Sequence, residues 1–217
     1  MASEPIRLFC GYDPREAIGW HAFAQSVIDS REQVAITTLQ GEQRDGTNAF
    51  TYSRFLVPYL CGFDGWAIFA DGSDMLLRGT LSELWEMRVP HMAVQVVQHD
   101  YKTRHPLKYV GTPMEAANSD YPRKNWSSLI LWNCASFLNR ILTPEFVAAA
   151  PGSYLHRFTW LTDDRIGPLP MEWNWLADEY GPNERAKLIH WTAGMPGFEH
   201  YSNAPHAQEW RLAAKWH

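Results

Sequence analysis

Apolar residues fall in short runs separated by turn residues, and the runs alternate between two periods. Ile6 to Cys10 alternates and enters Gly11-Tyr12-Asp13-Pro14, which predicts a strand ending in a loop. Asp13 is a good N-cap, Pro14 suits the first helical position, and Glu16 stands where a capping box closes. A helix is therefore expected through Ile18, Ala22, Gln25 and Ile28-Asp29. Val34 to Leu39 is β-branched and predicts a second strand, followed by a polar loop over Gly41 to Asn48. Trp66 to Ala70, Met92 to Val97, Leu129 to Cys134 and Lys187 to Ile189 are further strand candidates. Thr143-Pro144-Glu145 opens a helix by cap and proline. Alternating strands and helices predict an α/β fold with a mostly parallel central sheet flanked by helices, as one domain over 1–217.

Two stretches carry candidate chemistry. The strand Trp66 to Ala70 ends in Asp71-Gly72-Ser73-Asp74, which sets two carboxylates at a strand's carboxyl end, where open α/β sheets bind ligands. A cation between two such acids would relieve their repulsion. Solvated turn acids are the competing reading, because Asp-Gly is a strong turn signal. The second stretch is the long polar segment Gln98 to Lys124, of a length often reserved for function. Arg123 and Lys124 at its end read either as solvated surface or as groups facing a phosphate.

Composition narrows the field. A net charge of −5 argues against general nucleic-acid binding, which requires a basic footprint. No stretch approaches the length of a membrane span, and the start Met-Ala-Ser-Glu-Pro does not read as a signal peptide. A cytoplasmic location is expected. Cys10, Cys61 and Cys134 are widely spaced and read as small buried hydrophobes. The 11 tryptophans suit either a large core or the stacking faces of a carbohydrate enzyme.

The run Thr51-Tyr52-Ser53-Arg54-Phe55, Ala67-Ile68-Phe69, Asp71-Gly72-Ser73-Asp74, Met75-Leu76-Leu77 and Leu81-Ser82-Glu83-Leu84-Trp85 resembles family 8 glycosyltransferases, which have the GT-A fold. The family's pattern is Tyr-x-Arg, an apolar helix, a strand, Asp-x-Asp and a Leu-x-x-Leu-Trp/Phe helix. Here the acids stand three apart, so Asp74 falls on the second family Asp and Asp71 is displaced by one residue. Further along, Trp126-Ser127-Ser128, Thr162-Asp163-Asp164, Leu169-Pro170-Met171-Glu172-Trp173-Asn174 and Ile189-His190-Trp191-Thr192-Ala193-Gly194 are similar to the family's later motifs in the same order. The resemblance covers nearly the whole chain.

The resemblance implies metal-dependent transfer of a sugar, with retention of anomeric configuration. The donor would be a nucleotide-sugar, a UDP-sugar first, and the acceptor a carbohydrate or other hydroxyl compound. Asp71, Asp74 and His190 would hold Mn²⁺ or Mg²⁺. Tyr12, Asp13, Tyr52, Arg54, Trp126, Ser127, Ser128 and Gly194 would bind the nucleotide-sugar, and Asp163 and Asp164 would stand beside the reacting sugar. Local readings remain beside these: Asp13 as a cap, Arg54 in an ion pair, Asp163 and Asp164 as a helix N-terminal acid pair. The family's lysine after the carboxyl-terminal glycine has no counterpart in place. The alternatives in function are a non-catalytic nucleotide-sugar or carbohydrate-binding module and a nucleotidyltransferase.

Overall fold

Burial at both faces marks the inner strands of the central sheet, whereas the β-branched edge run Val34–Leu39 is largely exposed. The computed structural model describes residues 4–41, 43–44 and 48–215. Residues 1–3 of the chain start, and 42 and 45–47 of the expected loop, lie outside the described residues. The strands are β1 (Ile6–Gly11), β2 (Val34–Leu39), β3 (Trp66–Ala70), β4 (Met75–Leu77), β5 (Val94–Val96), β6 (Leu107–Lys108), β7 (Ala116–Ala117), β8 (Leu129–Asn133), β9 (Ile166–Pro168), β10 (Trp175–Leu176) and β11 (Leu188–His190). Six of them form a sheet in the order β2-β1-β3-β8-β5-β9. Only β8 runs against the rest, pairing antiparallel with both β3 and β5. The expectation of a mostly parallel α/β sheet flanked by helices holds. β8 is buried at every position, as expected of a strand covered on two faces.

Apolar clusters lie on either side of this sheet. Phe55, Phe69, Trp132, Phe158 and Ile130 pack on one face, and Leu8, Phe23, Ile68, Leu131 and Trp173 on the other. Trp132, Trp173, Trp191 and Trp210 are fully buried, so these four tryptophans belong to the core. The helix α1 (Ala17–Asp29) follows a 3₁₀ turn over Pro14–Glu16, and Asp13 caps that turn through Arg15 N at 3.0 Å. Thr143 caps the helix Pro144–Ala149, as its sequence predicts.

Three features differ from the sequence reading. Met75 to Leu77 is a strand of a separate sheet, ordered β10-β11-β4. The long segment 98–124 contains a two-stranded ribbon, β6 paired with β7. Cys61 is half-buried, whereas Cys10 and Cys134 are buried, and none of the three is in a disulfide. Among the described residues, no helix is long and apolar enough to cross a membrane.

Candidate active site

The acid turn is built from two sheets at once. At the end of β3, Asp71 N donates to Ser128 O at 2.9 Å, extending the pairing with β8 by one residue. Gly72 turns the chain at φ +82°, where a side chain would be strained and would approach Gly11 O at 3.2 Å. The chain then enters β4, which pairs antiparallel with β11 and sets His190 opposite Met75. Trp191 N donates to Asp74 O at 2.9 Å. This register is why a histidine far along the chain stands against Asp74.

The His190 ring is held by a hydrogen-bond chain that fixes its tautomer. Asn174 Nδ2 donates to Ser128 Oγ at 2.8 Å and to Asn125 O at 3.2 Å. Its Oδ1 is therefore left to accept from His190 Nδ1–H, at 2.9 Å. Nε2 of the neutral ring then presents its lone pair toward Asp74 Oδ2, 3.3 Å away. Burial would lower the His190 pKa, but Asp74, and after it Asp71 and Asp178, raise it above the ordinary histidine value.

Asp71 has a different partner. Arg54 Nη1 lies 2.6 Å from Asp71 Oδ1, in an ion pair that lacks hydrogen-bond alignment. The same guanidinium donates to Ser127 O at 2.8 Å and Thr51 O at 2.9 Å. Burial pushes the Asp71 carboxyl up to about 6 against the pull of Arg54, and Asp74 pushes in the same direction as burial. One ligand atom each from Asp71, Asp74 and His190 lies within 4.8 Å of the others. Asp71 Oδ1 and Asp74 Oδ1 are buried without a hydrogen-bond partner. Asp74 Oδ1, which has no partner, and Asp71 Oδ1, which meets only the Arg54 guanidinium, fit a divalent cation beside the oriented imidazole.

The cluster opens on a cavity of ≈ 410 Å³. Arg15, Arg54 and Lys108 line it beside Asp71 and Asp74, together with Ser127, Ser128 and His156. Ser127 Oγ and His156 Nδ1 are 2.7 Å apart. Burial, assisted by Arg54 and Lys108, holds His156 neutral with its pKa at about 3. Among the described residues, no tryptophan lines it.

Several sequence-predicted residues come together here: Asp71, Asp74, His190, Arg54, Ser127 and Ser128. Others are not among the lining residues. Asp13 is buried and holds Arg15 in a 2.6 Å ion pair, while also accepting from Ala49 N at 3.0 Å. Tyr12 packs edge-on against Trp20. Tyr52 lies under Arg44 and beside His156. Trp126 donates Nε1–H to His99 O at 2.8 Å. Gly194 lets the Tyr201 ring approach, since a Cβ there would meet it at 2.3 Å.

Asp163 and Asp164 do not line the cavity. Their side chains are 88% and 69% exposed and pair with Arg123 and Arg165. They open the 3₁₀ turn Asp163–Arg165, which is the local reading of an acid pair at a helix N-terminus. Lys124 is neither solvated nor turned to the cavity; it is buried and donates to Asn118 Oδ1 at 2.7 Å. Glu16 departs most from its expected role. It is 1% exposed, accepts from Asn48 Nδ2 at 3.0 Å, and its Oε1 has no partner. It thus faces inward instead of closing a capping box. Burial first, then Asp74, raises its pKa well above the usual carboxylate range. Glu16, Lys108, His156 and the orienting role of Asn174 carry no local sequence signal, since each depends on contacts distant along the chain.

A plant relative extends this picture. Protein CDI of Arabidopsis thaliana is 36% identical over 225 aligned positions, covering 95% of this chain and 85% of the relative. The chain belongs to the family of Protein CDI. No protein-family model matches it. Among solved structures, the galactosyltransferase LgtC, determined with donor and acceptor sugar analogs, superposes with a TM-score of 0.62 at 10% identity over 97% of this chain and 95% of its own. The bifunctional glycosyltransferase WbbM gives 0.68 at 14% identity over 99% of this chain, which spans 50% of WbbM. The glycosyltransferase GlyE of Streptococcus pneumoniae gives 0.64 at 13% identity over 98% of this chain, which spans 60% of GlyE. At such identities the likeness is one of fold, and the fold is the GT-A fold of glycosyltransferases, as the sequence motifs imply.

Proposed function

We propose that the chain transfers a sugar from a nucleotide-sugar to a hydroxyl acceptor, with a divalent ion held by Asp71, Asp74 and His190. The observation that carries this reading is the oriented Asp-Asp-His set at the carboxyl end of β3, opening on a cavity lined by Arg15, Arg54 and Lys108. Both halves suit a diphosphate leaving group, which gains negative charge as the anomeric bond breaks. Bound Mn²⁺ or Mg²⁺ would supply Lewis-acid stabilisation of that charge.

The chain's own groups do the remaining work. Asn174 keeps His190 Nδ1 protonated, so Nε2 is the atom available as a ligand. Arg54 neutralises Asp71 and ties the acid turn to Ser127. Ser127 and the neutral His156 offer hydrogen-bonding atoms at the cavity wall, suited to sugar hydroxyls. Retention of configuration and a UDP-sugar donor are expected from the family 8 resemblance. LgtC was solved with donor and acceptor sugar analogs, which supports a cavity of this fold taking both substrates.

Thermal shift against a panel of nucleotide-sugars with Mn²⁺, followed by donor hydrolysis with and without the ion, tests the proposal. A donor at about a hundred times its Kd should add about 2.7 kcal/mol of stability. Asp74→Ala should abolish that gain and the turnover while retaining the fold. Donor binding without turnover would point to a binding module instead. An Asp74→Ala chain that binds donor and Mn²⁺ like the parent would sink the reading.

A further inference from the structure

The cations lining the cavity differ in what already neutralises them. Arg15 is held by Asp13 at 2.6 Å, and Arg54 by Asp71 at 2.6 Å. Lys108 pairs with no carboxylate among the described residues; its ammonium lies 5.2 Å from the ring of its neighbour Tyr109. A half-buried ammonium without a counter-charge in a cavity wall is an unmet electrostatic demand.

The backbone holds this lysine in place. It sits on the ribbon strand β6, opposite Ala116 of β7. Its neighbour Tyr109 is buried, in left-handed backbone at φ +58°, with N–H donated to Ala193 O at 2.6 Å. Val110 N then donates to Tyr201 Oη at 3.0 Å. Both acceptors follow β11 in the chain, so the ribbon is pinned to the segment just after His190. Lys108 lines the same cavity as Asp71, Asp74 and His156.

We infer that Lys108 is the cation that takes the negative charge of the donor's diphosphate, as a point charge presented by the β6–β7 ribbon. The inference rests on the nucleotide-sugar reading above and assigns the phosphate contact to a residue outside the motifs that led to it. Lysine serves phosphate in this way, with three rotatable donors and no required fork geometry. A divalent ion at the Asp-Asp-His set would leave Asp71 and Asp74 neutralised, so the lysine's charge would remain for the ligand.

Isothermal titration of UDP, GDP and ADP, each with Mn²⁺, into the parent, Lys108→Met and Lys108→Arg tests it. Lys108→Met should bind whichever diphosphate the parent prefers about tenfold or more weakly, with a shallower salt dependence. Lys108→Arg should recover most of that loss. Mn²⁺ alone should bind Lys108→Met as tightly as the parent or slightly tighter, since a positive charge near Asp71 has gone. Unchanged diphosphate affinity in Lys108→Met overturns the inference and leaves the nucleotide-sugar reading standing. Loss of Mn²⁺ binding in both variants would make the lysine structural and overturn it too. A parent that binds none of the three diphosphates overturns the reading and the inference together.

Discussion

Arg54 and Asp71 are joined at 2.6 Å across the base of the cavity, the arginine from the 3₁₀ turn Ser53–Leu56 and the aspartate from the turn after β3. Because the guanidinium also bonds Ser127 O and Thr51 O, it ties together the acid turn, the 3₁₀ turn Trp126–Ser128 before β8 and the chain leading into its own turn. Arg54→Ala removes one partner of a buried pair and should cost about 3 kcal/mol, or roughly 6–12 °C in Tm for a chain of this size. Saturating Mn²⁺ should return part of the loss by supplying Asp71 with another counter-charge. An Arg54→Ala chain that melts like the parent without metal would assign the pair no structural role.

Glu16 gives a prediction with a definite pH sign. Its folded pKa lies above the unfolded value, so its ionisation costs stability progressively as pH rises from about 4.5 through the folded pKa. Glu16→Gln keeps an acceptor for Asn48 and removes that cost. The variant should equal the parent near pH 4.5 and exceed it by about 1–3 kcal/mol at pH 7.5, measured without metal. Parity across the whole range would mean that the carboxylate is not buried against Asp74 and Asp71.

Metal binding should weaken in acid, beginning above the usual histidine range. The protonated His190 imidazolium is favoured by Asp74, so proton and metal compete for Nε2 from a raised pKa downward. Below that pKa, Mn²⁺ affinity should fall about tenfold per pH unit, and faster once Asp71 protonates near pH 6. His190→Ala should bind Mn²⁺ more weakly and keep only the response due to the acids. Titration calorimetry at several pH values between 8 and 5.5 decides it, and equal slopes in the two proteins would make His190 structural.

Gly19 lies on α1 against the backbone of the acid turn. A Cβ there would meet Ser73 O at 1.9 Å and Met195 Sδ at 2.4 Å, and the carbonyl cannot swing away as a flexible side chain would. Helix propensity alone favours alanine by about 0.8–1.0 kcal/mol. Overpacking should outweigh it, giving a net loss of about 1–2 kcal/mol in Gly19→Ala. Since Ser73 sits between Asp71 and Asp74, Mn²⁺ affinity should fall as well. A higher melting temperature in this variant would refute the close approach.

The sequence by itself determined the elements whose signals are local. The period-two run Ile6 to Cys10, the cap and proline at Thr143-Pro144, and the apolar run ending at Asp71 are where the structure has strands, a helix and the acid turn. The ordered motifs also pointed to the GT-A fold and to Asp74 and His190, which the structure brings to 3.3 Å. Asp163 and Asp164 fell on a looser motif match, with Thr162 at the family's first Asp, and their exposed turn points them to Arg123 and Arg165. Only the tertiary structure decided that Glu16 turns inward, that Asn174 sets the His190 tautomer, and that Lys108 reaches the cavity with no carboxylate partner among the described residues. The reason is physical: capping and periodicity act between near neighbours, whereas burial, tautomer and charge state depend on groups that only folding brings together.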